Sequence, residues 1–241
     1  MTDTGIRPYQ YSAEEGDAVR DNPREYIIGI KLEPVCSLHM NTAFCYEILS
    51  LPVPGVNAEH FFRILSPDRA TDIFIRQAQF IRTLFSAGRF TFNLPARALM
   101  SESLFKLIEA ELIPEFIIEI QDPETIMSMT DSERKLLISH FSEVKKRTAD
   151  IWLDDVTPDM TDFFLALNFP VDGVKTDRSA LPRTPDKENR FKHFIEKCAQ
   201  LAPLVVVEGI ETVQMKCRAQ DAGAVGGQGF LWPGKTFLYS H

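Results

Sequence analysis

Leu204-Val205-Val206-Val207-Glu208 runs through four apolar residues, three of them β-branched, and stops on a carboxylate. The same grammar recurs upstream in Phe116-Ile117-Ile118-Glu119, in Ile151-Trp152-Leu153-Asp154 and, with an amide, in Phe90-Thr91-Phe92-Asn93-Leu94. Such short apolar runs, rich in β-branched and aromatic residues, read as buried strands. Extending the search gives eight candidates: Tyr26–Leu32, Ala43–Leu49, Phe90–Leu94, Phe116–Ile120, Asp150–Asp154, Gly173–Asp177, Leu204–Glu208 and a last one near Gln228–Trp232.

Helical patterns lie between them. Residues 68–87 place Ile73, Gln77, Phe80, Ile81, Leu84 and Phe85 on one stripe that Gly88 ends. Residues 131–147 open on Thr130-Asp131-Ser132-Glu133, a capping box, and direct Leu136, Leu137, Phe141 and Val144 inward. Residues 186–201 repeat Phe191, Phe194, Ile195 and Leu201 at helical spacing. Alternating strands and helices call for a parallel sheet with helical crossovers. Eight strands suit a closed TIM-like (β/α)8 barrel best, with a doubly wound sheet as the alternative.

The chain has 241 residues, the size of one such barrel, and no internal linker rich in Pro, Gly or Ser. Residues 1–24 are polar, and with Glu14, Glu15, Asp17 and Asp21 they read as a tail before a barrel spanning 25–241. A net charge of −8 argues against a DNA or RNA polymer as partner, since a polyphosphate grip needs a basic face. It leaves room for a small phosphate ligand, because bound divalent cations reverse the sign of an acidic site. Cys36, Cys45, Cys198 and Cys217 form no C-x-x-C pair, so free thiols in a reducing compartment are expected. No apolar run approaches the roughly 20 residues of a membrane span, and the N-terminus lacks the apolar core of a signal peptide. A cytoplasmic protein with no membrane association is the expectation.

The polar residues on these strands converge. Glu47, Asn93, Glu119, Asp154, Asp155, Lys175, Asp177, Glu208 and Gln228 all fall at or near strand C-terminal ends, the catalytic face of a barrel. Converging carboxylates repel one another, so the cluster calls for a hard cation with oxygen ligands, Mg²⁺ or Mn²⁺. There are enough ligands for two ions about 4 Å apart, the arrangement that activates water against a phosphate. Each residue alone has a plainer reading. Asp154-Asp155 could cap a turn, Glu211 could serve a helix dipole, Lys175 could reach solvent or pair with Asp177, and Asn93 could satisfy a strand end.

The ordered blocks Glu47-Ile48-Leu49, Phe92-Asn93-Leu94, Glu119-Ile120-Gln121-Asp122, Asp154-Asp155, Val174-Lys175-Thr176-Asp177-Arg178-Ser179, Val207-Glu208-Gly209-Ile210-Glu211-Thr212 and Gly227-Gln228-Gly229-Phe230 resemble the EAL domain. The resemblance runs from about Glu33 to Pro233. It implies a barrel with an antiparallel first strand and hydrolysis of cyclic di-GMP to linear pGpG. It also implies Glu47, Asn93, Glu119 and Asp154 as metal ligands, with Asp155 serving a second ion. Lys175 and Glu208 would hold and activate the water, and Asp122, Asp177, Glu211 and Gln228 would support substrate or site.

Three departures stand out. Val156-Thr157-Pro158-Asp159-Met160-Thr161 contains no glycine where the family carries a pliable Phe-Gly-x-Gly loop. The resemblance ties that loop to dimer assembly, so a homodimer is open at this point. Asp122 stands where a glutamate braces the loop, and Ser50-Leu51 where an arginine reaches the substrate phosphate. Two functions are therefore carried forward: an active phosphodiesterase, and a weak or inactive barrel that senses cyclic di-GMP or docks a protein.

Overall fold

The computed structural model describes residues 26–182 and 188–239, so the expected tail 1–24 lies outside the described residues. Eight strands close into a barrel: β1 Ile27–Ser37, β2 Ala43–Pro52, β3 Phe90–Leu94, β4 Phe116–Ile120, β5 Asp150–Val156, β6 Gly173–Thr176, β7 Leu204–Val207 and β8 Gly226–Gly227. Neighbours from β2 to β8 run parallel, while β1 is antiparallel to both β2 and β8. Helices α1 Ala58–Arg63, α2 Pro67–Leu84, α3 Ala96–Met100, α4 Glu102–Glu111, α5 Pro123–Ser128, α6 Asp131–Lys146, α7 Pro158–Ala166, α8 Glu188–Leu201 and α9 Val213–Asp221 connect or cover the strands.

Strand alternation explains both the core and the site. On β4 every residue of Phe-Ile-Ile-Glu-Ile is buried, as parallel strands covered on both faces require. Val35, Cys45, Ile117, Trp152 and Val206 form an apolar layer of their own, separate from the larger core between strands and helices. Two residues further along those strands come Glu47, Glu119, Asp154 and Glu208, and two residues earlier on antiparallel β1 comes Glu33, all on the same side by the period of two. A dry plug therefore floors a polar layer. Gly173 belongs to the plug, since a Cβ there would lie 2.7–2.8 Å from the ring of fully buried Trp152.

Several expected elements shift: β1 runs on to Ser37, β5 to Val156, and Leu84 at the end of α2 is exposed. β2 continues to Pro52 because the β1–β2 ribbon projects beyond the rim, which leaves Glu47 in mid-strand rather than at its end. The eighth strand is Gly226–Gly227, not Gln228–Trp232: Gln228 O accepts from Ile210 N and Leu231 N donates to Ile210 O, which turns the chain across the barrel mouth. Past Pro233, β9 Lys235–Leu238 adds antiparallel to β1 and anchors on α2, with Tyr239 stacked edge-on against Phe80 and Arg76 over the Tyr239 ring. On α6 the capping box forms as expected, but Leu136 is 43% exposed. The inner stripe is Leu137, His140, Phe141 and Val144, and the His140 ring stacks on Phe105 with Nδ1 2.7 Å from Leu99 O.

Candidate active site

Lys175 lies on β6 with no solvent exposure, and its ammonium faces four carboxylates. Nζ is 2.8 Å from Glu208 Oε1, 3.0 Å from Glu119 Oε2, 3.1 Å from Glu47 Oε2 and 3.2 Å from Asp154 Oδ1. These groups come from β2, β4, β5, β6 and the residue after β7, so barrel closure itself assembles them. Glu47 is held further by Asn93 Nδ2, which donates to Oε1 at 2.7 Å, and by Gln228 Nε2, which donates to Oε2 at 2.6 Å. Asp155 sits beside the cluster at a bulge in β5, with φ at +51° in the left-handed region that asparagine and aspartate tolerate best.

Burial governs the electrostatics. It would lower the Lys175 pKa, but the surrounding carboxylates outweigh it and hold the ammonium charged, well above its ordinary value. The same burial raises Glu119 well above the carboxylate range, and Lys175 offsets this only partly against the repulsion of Glu47 and Asp154. It pushes Glu208 up to about 8 and Asp155 up to about 6, and it raises Asp154. Glu47 alone is lowered, because Lys175, Asn93 and Gln228 together overcome the desolvation.

Five carboxylates gather around one ammonium, and burial drives several of them to hold protons when no further cation is present. Ligand oxygens of Glu47, Glu119 and Asp154 lie within 4.8 Å of one another, as do those of Asp154, Asp155 and Glu208. Asp154 is common to both groups. Asn93 Oδ1 and Glu119 Oε1, on paired positions of β3 and β4, are buried and accept no hydrogen bond. Buried polar atoms without partners are costly, and a hard cation would satisfy both. The donors present therefore fit Mg²⁺ or Mn²⁺.

Two hollows flank the cluster and meet at Glu47, Leu49 and Asp154. The apolar lobe, about 280 Å³, is walled by Leu49, Phe62, Leu65, Ile73 and Gln77. The polar lobe, about 260 Å³, is walled by Glu33, Arg178, Glu208, Glu211 and Phe230, the last 81% exposed.

Glu47, Asn93, Glu119, Asp154, Asp155, Lys175, Glu208 and Gln228 thus share one rim. Glu211 lines the polar lobe but precedes α9 instead of opening it, since Thr212 is that helix's N-cap. Asp122 stands apart: its Oδ1 accepts from Ala96 N at 2.7 Å, bracing the turn after Asn93. Asp177 accepts from Ser179 N at 2.6 Å and caps a 3₁₀ turn, Arg178–Ala180. The stretch 156–161 is not a loop, because β5 runs through Val156 and α7 starts at Pro158. Sequence reading passed over the apolar lobe and gave Glu33 no role. Helical spacing marks Ile73 and Gln77 as inward but cannot separate core from cavity wall.

A barrel of this topology with a carboxylate-caged lysine defines a class. The EAL domain model matches residues 28–233, and the chain belongs to the EAL domain family. Its fold is similar to that of an EAL domain protein from Listeria monocytogenes, at 18% identity and a TM-score of 0.71 over 94% of both chains. It is similar to the Pseudomonas aeruginosa FimX EAL domain bound to cyclic di-GMP, at 14% identity and 0.75, over 92% of this chain and 96% of that one. Klebsiella pneumoniae BlrP1, in a complex with manganese and cyclic di-GMP, gives 17% identity and 0.71 over 89% of this chain and 59% of that one. No curated protein matches the sequence.

Proposed function

We propose that the chain hydrolyses cyclic di-GMP to linear pGpG in the presence of two Mg²⁺ or Mn²⁺ ions. One observation carries the reading: a buried lysine caged by four carboxylates, set between two hollows of similar size. A cyclic dinucleotide offers a base to each lobe and a phosphodiester to the carboxylates between them. The family and the ligands of the similar structures support the choice of substrate. Phe230 offers an exposed ring on which a guanine can stack.

Glu47, Asn93, Glu119 and Asp154 would hold one ion, and Asp154 with Asp155 and Glu208 would face the second. When bound, such ions acidify water and neutralise phosphate charge. Glu208, 2.8 Å from Lys175 Nζ and the most exposed of the four caging carboxylates, is the group placed to take a proton from water. Water oxygen bonds to phosphorus, the bond from phosphorus to the ribose 3′ oxygen breaks, and that oxygen leaves with a proton. Lys175, locked in its charged form, keeps the carboxylates in place and opposes charge building on the phosphate. The floor of Ile117, Trp152 and Val206 keeps water out from below.

Separation of products after incubation with Mg²⁺ or Mn²⁺ tests the proposal. Wild type should release pGpG, and Glu47→Ala and Glu208→Ala should each abolish it. Near-normal turnover in either variant overturns that residue's role.

A second reading, a receptor that binds cyclic di-GMP without cutting it, draws on the missing pliable loop: Asp155 leads through Val156 directly into α7. Binding without pGpG under both metals would establish it. The same departure favours a monomer, which size-exclusion chromatography reads. A cytoplasmic location is also proposed, supported by four unpaired cysteines. No helix among the described residues is long and apolar enough to cross a membrane.

A further inference from the structure

We propose that Arg178 is the residue by which the polar lobe grips a phosphate, with Asp177 and Gly209 positioning it. This rests on the reading of the site as a cyclic dinucleotide site. The observation behind it is a census of charge. Glu33, Glu47, Asp154, Asp155, Glu208 and Glu211 all line the polar lobe, and Arg178 is the one Lys or Arg lining either lobe among the described residues. Lys175 is buried beneath the carboxylates and fully engaged by them. A cyclic dinucleotide carries two phosphodiesters. One held over the carboxylate cluster leaves the other in a lobe whose remaining charge is negative, where a cation is needed.

Arg178 is free to supply it. Its side chain is exposed, and its guanidinium makes no ion pair or hydrogen bond with the described residues. Its backbone is nevertheless held on two sides. Asp177 Oδ1 accepts from Ser179 N and fixes the 3₁₀ turn that carries Arg178. From the other side the segment after Glu208 presses on it: Gly209 has φ +72°, and a Cβ there would lie 2.9 Å from Arg178 Cβ. A planar fork of donors on a fixed backbone, facing the hollow and committed to nothing else, suits a phosphate.

Calorimetric binding of cyclic di-GMP to the full chain, in Ca²⁺ and at low and high salt, tests this. Arg178→Gln should bind about 10-fold more weakly, the lower end for a charge-assisted hydrogen bond because the site faces solvent. Its affinity should depend less on salt, and Arg178→Lys should recover part of the loss. Asp177→Ala should lose a smaller factor. In turnover, KM should rise about as much as Kd while kcat holds. Arg178→Gln binding within twofold of wild type, or a loss that neither lysine nor salt affects, overturns the role of Arg178 while leaving the site's assignment standing. Absence of binding by wild type overturns the assignment, and this inference with it.

Discussion

Replacing Lys175 with methionine removes one charge from the floor of the site while nearly preserving its volume. Four carboxylates within 3.2 Å of Nζ then face one another at positions with little or no solvent exposure. Removing one partner from a buried ion pair typically destabilises by about 3–5 kcal/mol. For a chain of this length about 1 kcal/mol moves the melting temperature 2–4 °C, so Lys175→Met should melt about 6–20 °C lower in chelator at pH 8. The deficit is electrostatic, so it should shrink in two ways. Lowering the pH lets the carboxylates take up protons, and adding Mn²⁺ supplies the missing positive charge. Differential scanning calorimetry over pH and metal reads all three. A variant melting within about 3 °C of wild type at pH 8 in chelator would refute the ammonium's neutralising role. A deficit blind to both pH and Mn²⁺ would show that Lys175 contributes packing instead.

Glu119→Gln should leave metal-free stability within about 0.5 kcal/mol, because burial already favours the neutral form of Glu119, yet weaken Mn²⁺ binding at least about 10-fold by calorimetry. Metal-free wild type should lose stability as pH rises from about 5 to 8. Asp155 and Glu208, raised to about 6 and about 8, bind protons in the native state that the unfolded chain has released, and Mn²⁺ should flatten the slope. Gly173→Ala should cost about 1–3 kcal/mol in urea denaturation by driving a methyl group into the Trp152 ring. Thr130→Ala, which breaks the capping box of α6 far from the site, should cost about 1 kcal/mol and leave turnover unchanged.

The rim was legible because strand alternation is strict. Once Val206, Trp152 and Ile117 are read as inward, Glu208, Asp154 and Glu119 must share their side of the barrel two residues on. The paired positions on β2 and β3 follow by the same rule, whereas Asp155 joins through the β5 bulge and Gln228 from the residue after β8. What escaped reading depends on long-range pairing. Nothing local in Lys235–Leu238 announces that it will zip onto Gly29–Leu32, or that the β1–β2 ribbon will outrun the barrel and leave Glu47 in mid-strand. The apolar lobe escaped for another reason. Phe62, Leu65 and Ile73 have the chemistry of core, and only the space left between α1, α2 and β2 makes them a wall. Leu136 errs by a single position, about 100° of helix rotation from the buried stripe. Asp122 and Asp177 keep motif positions but spend their carboxylates on Ala96 N and Ser179 N, a choice settled by local turns.

The most direct measurement is phosphorus NMR of cyclic di-GMP with metal-free protein before and after Mg²⁺ is added. The expected result is a constant diester signal in chelator, then growth of one phosphomonoester for each remaining diester as pGpG accumulates. Diester signals that shift on binding but yield no monoester after Mg²⁺ would contradict hydrolysis and leave a receptor in its place.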